Sequence, residues 1–266
     1  MSKPVTRFDD FAIEGLVGRG GSATVYRAQR ISRPGPALAL KVLDERHRGP
    51  SDLERLHREF EFARRAAHPH VVIVDECGDG WLAMELVDGG TVSTLGTLPA
   101  FLTALADVAE ALDHAHRLGV VHCDVKPSNI LVHIDFAVRG AVLVDFGVAR
   151  SLTERAPRTA TRIDASLPYT APEILHGRTP SAASDEYALA CTAVELLIGT
   201  PPFVASTAMG LIDAHLSQPV PRYSRRLAWV SHAFDSILAK AMAKDPDHRY
   251  PTCSEFVRLV ARALTP

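Results

Sequence analysis

The sequence predicts an α+β fold in two lobes, a small strand-rich lobe followed by a larger helical lobe. In the first third of the chain, short apolar segments are separated by glycine-containing turns, which is typical of β-strands. After Gly89-Gly90, apolar residues recur at helical spacing instead. With 266 residues and 47% hydrophobic composition, the chain is long enough to bury a large core. We therefore predict a single domain over 1–266, with lobes at about 8–87 and about 88–264.

The first lobe is predicted to contain one helix among several strands. The predicted strands are 8–17, 23–30, 38–43, 71–74 and 81–87. The helix is predicted at 51–67, because Ser51-Asp52-Leu53-Glu54 has the capping-box pattern and Pro69 ends the run of helix formers.

The second lobe is predicted to be mainly helical. Pro99 opens a helix that ends at Gly119, and its apolar residues at 101, 105, 108, 112 and 115 share one face. Further helices are predicted at 184–198, 205–216, 232–242 and 254–264. A cleft between two such lobes is the expected ligand site.

Composition excludes several functional classes. A net charge of −2 and a pI near 6.6 argue against a nucleic-acid partner. The four cysteines contain no CxxC pair, which argues against a zinc site or a redox dithiol and favours a reducing compartment. No signal peptide and no long apolar run is present, so we expect a cytoplasmic protein without a membrane partner.

A glycine-rich turn lies between the first predicted strands, at Gly18-Arg19-Gly20-Gly21-Ser22-Ala23-Thr24-Val25. Glycines let backbone N–H groups approach a phosphate closely. A flexible hairpin has the same pattern, so both interpretations remain open on these residues alone. A dinucleotide site would need a helix after the glycines, whereas here a strand continues, and no Gly-Lys-Ser/Thr follows for a P-loop.

Lys41 lies inside the apolar strand 38–43, where an unpaired ammonium would be costly. It either extends outward at a strand edge or meets a carboxylate and an anionic ligand. Glu59 on the predicted helix is the candidate partner. Glu61 is the alternative, although it points about 200° around the helix from Glu59.

Two polar segments end buried strands in the second lobe. His122-Cys123-Asp124-Val125-Lys126-Pro127-Ser128-Asn129 lies between apolar pairs, and its proline prevents continued helix or sheet. Asp145-Phe146-Gly147 follows the apolar segment 141–144, which would place a carboxylate at the end of a strand, as a hard cation requires. Taken singly, each segment also fits an ordinary polar turn.

Taken together, the motifs are similar to those of the eukaryotic-like protein kinases. The glycine-rich turn, Lys41, Glu59, the segment 122–129, Asp145-Phe146-Gly147 and Ala171-Pro172-Glu173 occur in that family's order and spacing. The chain most resembles bacterial Ser/Thr kinases, over residues 8 to 263. A lysine two residues after the aspartate, as Lys126 follows Asp124, resembles the pattern of the Ser/Thr branch. The resemblance implies a bilobal protein-kinase-like fold and ATP-dependent phosphorylation of serine and threonine on proteins.

The resemblance also assigns roles to residues. ATP and Mg²⁺, with Mn²⁺ as an alternative ion, are the implied cofactors. Asp124 would accept the substrate proton, Lys126 would stabilise the transferring group, and Lys41 paired with Glu59 would hold phosphates. Asn129 and Asp145 would bind the metal. The implied nucleotide-binding residues are Val17, Gly18, Gly20, Gly21, Val25, Ala39, Lys41, Met84, Glu85, Val87 and Leu131.

Later residues resemble the scaffold of the family. Asp185 would hold the backbone of the catalytic loop, and Arg249 would pair with Glu173. Ser166 aligns with the hydroxyl residue that bonds the catalytic aspartate and lysine.

Cys123 is the main departure, because most relatives have arginine there to receive an activation-loop phosphate. We therefore hypothesise activity that does not require activation-loop phosphorylation, with Arg150, Arg155, Arg158 and Arg162 as local phosphate partners. An inert filler and a redox group are the alternatives for the thiol.

The segment 88–99 is also too short for the family's usual helix after the hinge. Autophosphorylation would involve a homodimer.

Two other functions remain as alternatives. A pseudokinase that binds nucleotide or acts as a scaffold is the first, although Lys41, Glu59, Asp124, Asn129 and Asp145 are all present. A small-molecule kinase of the aminoglycoside type is the second. That class lacks the Ala-Pro-Glu segment and its arginine partner, which this chain has.

Overall fold

A computed structural model describes residues 6–152 and 166–265. The first lobe is an antiparallel sheet of six strands in the order β1-β2-β3-β4-β6-β5. Its strands are β1 (Thr6–Phe8), β2 (Phe11–Arg19), β3 (Ala23–Arg30), β4 (Leu38–Leu43), β5 (Val74–Gly78) and β6 (Trp81–Glu85). Helix α1 (Pro50–Arg65) packs against β5 and β6. The lobe is therefore strand-rich with one α-helix, as the sequence predicts.

The second lobe is mainly helical. Its helices are α2 (Leu98–Arg117), α3 (Phe136–Arg139), α4 (Pro172–Leu175), α5 (Ala182–Ile198), α6 (Ala208–Ser217), α7 (His232–Ala241) and α8 (Cys253–Leu264). Its strands form two short pairs, β7 (Val120–Val121) with β10 (Arg150–Ser151) and β8 (Ile130–Val132) with β9 (Ala141–Leu143).

Helix α5 lies at the centre of the second lobe. Every residue from Ser184 to Val194 is buried, so the helix has no solvent face over three turns. It packs against α2, α7 and α8. A polar group on this helix therefore needs a hydrogen-bond partner inside the protein. The partners of Asp185 and Glu186 thus show which segments the helix holds in place.

Three predicted elements were wrong in detail. The strand predicted at 8–17 is divided by a turn at Asp9-Asp10 into β1 and β2. Residues 71–74 do not form a strand; the strand begins at Val74, and Val71 makes an isolated parallel bridge to Leu143 of the second lobe. Val71 and Val72 are apolar because they are buried in the core of the second lobe. The capping box at Ser51 is also absent, because α1 begins at Pro50, after Gly49, without a side-chain cap.

A short connection joins the lobes after β6. The backbone of Gly89 donates to the Val132 carbonyl at 2.9 Å, and Val132 donates back to Gly90 at 2.9 Å. A β-carbon on Gly89 would lie 2.5 Å from the Val132 oxygen, so only glycine fits this close approach. Before α2, the connection contains only a short 3₁₀ turn at Val92–Thr94, as its predicted shortness implies.

Candidate active site

The sheet register aligns the glycine-rich turn with Lys41. Gly18 lies opposite Val25 on neighbouring strands, and Val25 lies opposite Lys41 on the next. The Gly20 N–H donates to the Ala23 carbonyl at 2.8 Å and closes the turn. The turn therefore lies along the sheet edge that leads to the lysine, while Val17 beside it is 50% exposed.

Lys41 forms a buried ion pair with Glu59. Its Nζ donates to Glu59 Oε1 at 2.7 Å and to Oε2 at 2.6 Å, and lies 3.8 Å from Asp145 Oδ1. Burial disfavours the ammonium, but the charges of Asp145 and Glu59 outweigh it and raise the pKa of Lys41. Because both Glu59 oxygens contact the ammonium, we assign the pair as ionised. Glu59, and not Glu61, is thus the partner on α1.

Asp145 is held as an anion at the end of a buried segment. The Lys41 ammonium is the main cause that lowers the pKa of Asp145 to about 2, and Arg55 and His122 contribute. The Asp145 backbone has φ of 64°, a left-handed conformation that is rare for a residue with a side chain. Its Oδ1 accepts a long hydrogen bond from the Gly147 N–H at 3.3 Å. The carboxylate is therefore ionised and fixed in direction.

The catalytic-loop residues predicted from the sequence come together around Asp124. Lys126 Nζ donates to Asp124 Oδ2 at 2.8 Å and to Ser166 Oγ at 3.0 Å, and the Ser166 hydroxyl donates to Asp124 Oδ1. Asn129 Nδ2 donates to the Asp124 carbonyl and to Oδ2, both at 2.9 Å. One carboxylate is thus oriented by an ammonium, a hydroxyl and an amide.

Asp185 holds the backbone of this loop from inside α5. Its two oxygens accept the backbone N–H groups of His122 and Cys123, each at 2.8 Å. The imidazole of His116 on α2 lies 2.8 Å from Asp185 Oδ2. Burial opposes ionisation, but these hydrogen bonds, His116 first, lower the pKa of Asp185. A buried carboxylate thereby fixes the residue that precedes Asp124.

A second buried ion pair anchors the Ala-Pro-Glu segment. Arg249 donates to Glu173 Oε1 at 2.8 Å and to Oε2 at 2.7 Å, a bidentate contact in which the Arg249 side chain is fully buried. Ser184 also donates to Glu173 Oε1 at 2.7 Å. The predicted pairing therefore forms and ties α4 to α5.

Cys123 is partly buried, and its thiol lies in an environment that disfavours the thiolate. Burial, followed by the negative charge of Asp185, raises the pKa of Cys123. The positive charges of Arg150 and Arg58 act in the opposite direction and lower the pKa of the thiol. Basic groups therefore surround this position even without an arginine at 123, and Arg58 was not among the arginines predicted to serve there. Arg155, Arg158 and Arg162 lie outside the described residues.

The predicted hinge residues lie at the back of the same cleft. Ala39 on β4 is buried opposite Met84 on β6. The Glu85 carboxylate does not face the cleft, because it accepts the Ile73 N–H at 2.9 Å and an Arg139 hydrogen bond at 3.1 Å. Leu131 on β8 makes a bridge to Thr91 beyond the hinge, and Val87 is buried.

A groove of about 430 Å³ adjoins the catalytic loop. Lys126 and Ser128 line one side, and Tyr169 and Glu195 line the other. The Tyr169 hydroxyl donates to Glu195 Oε2 at 2.5 Å, and burial together with this carboxylate raises the pKa of Tyr169. Lys126, which contacts Asp124, connects the groove to the catalytic loop.

Sequence reasoning missed several residues that support the site. His116 contacts Asp185 across 69 positions of the chain, and no local pattern indicates such a pair. Arg55 and Arg58 lie on the same face of α1 as Glu59, so helical periodicity would have placed them toward the cleft. The Tyr169–Glu195 pair likewise depends on tertiary structure alone.

This combination of fold and site is that of a protein kinase. The family model described as the protein kinase domain matches residues 11–259, and the chain belongs to the protein kinase family.

Named relatives place it close to bacterial Ser/Thr kinases. The chain is 38% identical over 272 residues to serine/threonine-protein kinase PknJ of Mycobacterium tuberculosis, with 97% of this chain and 46% of that protein covered. It is 35% identical to PknH of the same species and to PknE of Mycobacterium bovis, with 99% of this chain and 43% and 48% of those proteins covered. The chain therefore spans about half the length of the curated relatives it matches.

Within residues 6–152 and 166–265, no helix has the length and apolarity needed to cross a membrane.

Proposed function

We propose that this chain transfers the γ-phosphoryl group of ATP to serine and threonine hydroxyls of proteins. The observation that carries the proposal is the contact of Lys126 Nζ with both Asp124 and Ser166. A carboxylate that could accept a proton and a cation thus lie side by side, and the cation also lines the groove. Protein substrates are the proposed partners, and neither nucleic acid nor membrane enters the mechanism.

Asp124 would accept the proton of the substrate hydroxyl as its oxygen attacks phosphorus. Such general-base assistance contributes about 10²- to 10⁴-fold to the rate. Lys126 would stabilise the negative charge on the transferring group, because its ammonium is already oriented by two oxygens. Asn129 would keep the Asp124 carboxylate turned toward the hydroxyl.

The residues at the end of β9 fit a divalent cation. Asp145 is ionised and its side chain is 29% exposed, so its carboxylate is available to a hard cation. Asn129 uses its side-chain nitrogen toward Asp124, which leaves the amide oxygen for the ion. Mg²⁺, or Mn²⁺ in its place, would neutralise phosphate charge there. Lys41, held by Glu59, would bind the α- and β-phosphates, and the predicted roof and hinge residues would hold the adenine.

Transfer of ³²P from ATP to a generic basic protein, with Mg²⁺ or Mn²⁺, tests the proposal. We expect Asp124→Asn to reduce the rate by about 10²- to 10⁴-fold. Asp135→Asn is the matched control, because Asp135 makes no side-chain cap at the start of α3 and lies outside the site. If the wild-type protein binds nucleotide but transfers no phosphate, the pseudokinase alternative replaces this proposal.

We further propose that activity does not depend on phosphorylation of the segment after Ser151. The support is that Asp124, Lys126, Asn129 and Ser166 are already in mutual contact in the unmodified chain. Cys123 offers a partly buried, uncharged thiol where an arginine would receive a phosphate. Autophosphorylation, if it accompanies activity, would involve a transient homodimer in which one copy is the substrate of another.

Replacement of Thr153, Thr159 and Thr161 by alanine tests this independence, although these threonines lie outside the described residues. We expect the triple variant to retain turnover within about threefold of the wild type, because no step of the chemistry uses them. Loss of turnover would show that phosphorylation is required. Mass spectrometry after incubation with ATP and Mg²⁺ reports autophosphorylation sites and the choice of serine or threonine in the same sample.

A further inference from the structure

Helix α1 carries two arginines that contact the segment after Asp145. Arg55 and Arg58 are one turn apart, on the face that also carries Glu59. Arg58 Nη2 donates to the Ala149 carbonyl at 3.1 Å. Its guanidinium also stacks on the Phe62 ring, 5.3 Å from the ring centre, in a cation–π contact. The arginine is thus oriented by its own helix before it reaches across.

Arg55 occupies the space next to Gly147. A β-carbon built on Gly147 would lie 2.9 Å from Arg55 Nε and 3.3 Å from Arg55 Cγ. Gly147 is not among the residues with positive φ, so its backbone conformation does not itself demand glycine. The space that Arg55 occupies is what favours glycine at this position. The absence of a side chain at 147 is therefore what lets Arg55 lie against the backbone.

The same arginine is electrostatically linked to the Lys41 cluster. Its positive charge helps to lower the pKa of Asp145, after the larger effect of Lys41. It also acts on Lys41 and Glu59, which lie at the centre of the cluster. Two cations and two carboxylates thus lie close together, on α1, on β4 and just after β9. Moving one element relative to the other would separate opposite charges in a buried place.

We propose that Arg55 and Arg58 form a clamp that positions Asp145 relative to the Lys41–Glu59 pair, and that Gly147 is required because Arg55 fills the space beside it. The inference rests on the proposed function, since it names positioning residues for the metal-binding carboxylate. Arg58 fixes the backbone at Ala149, and Arg55 fixes it at Gly147. Between them they tie α1 to the residues that follow Asp145.

The proposal makes a distinctive prediction for paired substitutions. In Gly147→Ala, the new methyl group displaces the flexible end of Arg55, and it also presses on Asp145 Oδ1, which would be 3.1 Å away. Arg55→Ala removes the same contact directly. Since Arg55 is already displaced in Gly147→Ala, adding Arg55→Ala to it should have little further effect.

The test measures ADP affinity by calorimetry on phosphatase-treated protein, with Mg²⁺ and separately with EDTA. We expect Arg55→Ala and Gly147→Ala each to weaken binding of Mg²⁺–ADP by about 3- to 10-fold, because a misdirected Asp145 loses part of its contact with the ion. Binding of ADP in EDTA should stay within about twofold, because it does not use Asp145. A general loss of structure would weaken both. Arg58→Ala should behave like Arg55→Ala.

Arg64→Ala is the matched control, because Arg64 is exposed on the same helix and stacks on Phe60. It should leave both affinities unchanged. The double variant Arg55→Ala/Gly147→Ala should bind Mg²⁺–ADP within about twofold of Gly147→Ala alone. Fully multiplicative losses, or no loss in Arg55→Ala, would overturn the clamp. These binding data do not need phosphate transfer, so an inactive wild-type protein would refute the proposed function and leave the clamp to be judged separately.

Discussion

Acidification should destabilise this domain through one buried histidine, His215 of α6. The side chain is fully buried, its Nδ1 lies 2.8 Å from the Tyr187 hydroxyl, and its Nε2 has no hydrogen-bond partner. Burial, together with the nearby Lys244 ammonium, lowers the pKa of His215 to about 4. The cationic ring would be buried beside the Lys244 ammonium without a carboxylate partner among the described residues, so the neutral ring is the form that the fold accommodates.

The sign and size of the effect follow from this pKa. In the unfolded chain, His215 titrates near its ordinary value of 6.5, so the unfolded state binds the extra proton first as the pH falls. The contribution to stability is complete above pH 6.5, declines as the pH falls below it, and is lost below about 4. At about 1.36 kcal/mol per pKa unit, the full loss is about 3 kcal/mol.

Urea unfolding between pH 4 and 8, compared between wild type and His215→Asn, isolates this contribution. Asparagine keeps an acceptor for the Tyr187 hydroxyl but does not titrate, and it should be less stable at pH 8 because it fills less space beside Phe203. The stability difference between the two proteins should shrink by about 3 kcal/mol on going from pH 8 to pH 4. Parallel pH profiles would refute the reasoning, because other carboxylates titrate equally in both proteins.

Three further predictions concern other titratable groups. Burial raises the pKa of Glu186 to about 8, so the wild type loses stability as the pH rises from about 4.5 to 8. Glu186→Gln keeps an acceptor for the Tyr250 N–H and should be more stable by about 4 kcal/mol in urea unfolding at pH 8; an unchanged midpoint would contradict this. His116→Gln should lower kcat about tenfold with KM for a peptide nearly unchanged, because Asp185 then holds the loop less firmly; an equal kcat in steady-state assays would count against it. Because its pKa is raised, Cys123 should react with iodoacetamide at least about tenfold more slowly in the native protein than in urea; equal labelling rates by mass spectrometry would contradict this.

Local signals located the strands and the ion-pairing lysine. The strands at 23–30 and 38–43 were predicted at the same bounds that the structure has, because glycine- and proline-containing segments delimit both. Lys41 was a candidate for an ion pair because it interrupts an apolar strand. Glu59 was preferred to Glu61 as its partner because the two glutamates point to different sides of the helix. Each inference used neighbours within a single element or the known cost of burying a charge.

Long-range pairing was harder to predict. The apolar residues of 71–74 indicated a strand, but Val71 is buried by the second lobe, which no local pattern contains. His116 is a common residue type on a helix surface, and only tertiary structure brings it to Asp185. Arg55 and Arg58 share a helix face with Glu59, so helical periodicity indicates their direction but not their partners. Asp185 and Arg249 were placed by resemblance to a family, because a charged residue in a helix otherwise predicts a solvent face.

The main chain at Cys123, and not its side chain, is what Asp185 holds. Cys123 has φ of 66°, an unfavourable conformation for a residue with a side chain, and its N–H donates to Asp185 Oδ1 at 2.8 Å. Every residue except proline has this N–H, so the hydrogen bond that precedes Asp124 does not depend on the side chain at 123. A substitution of the thiol therefore leaves the donor that positions the catalytic loop in place.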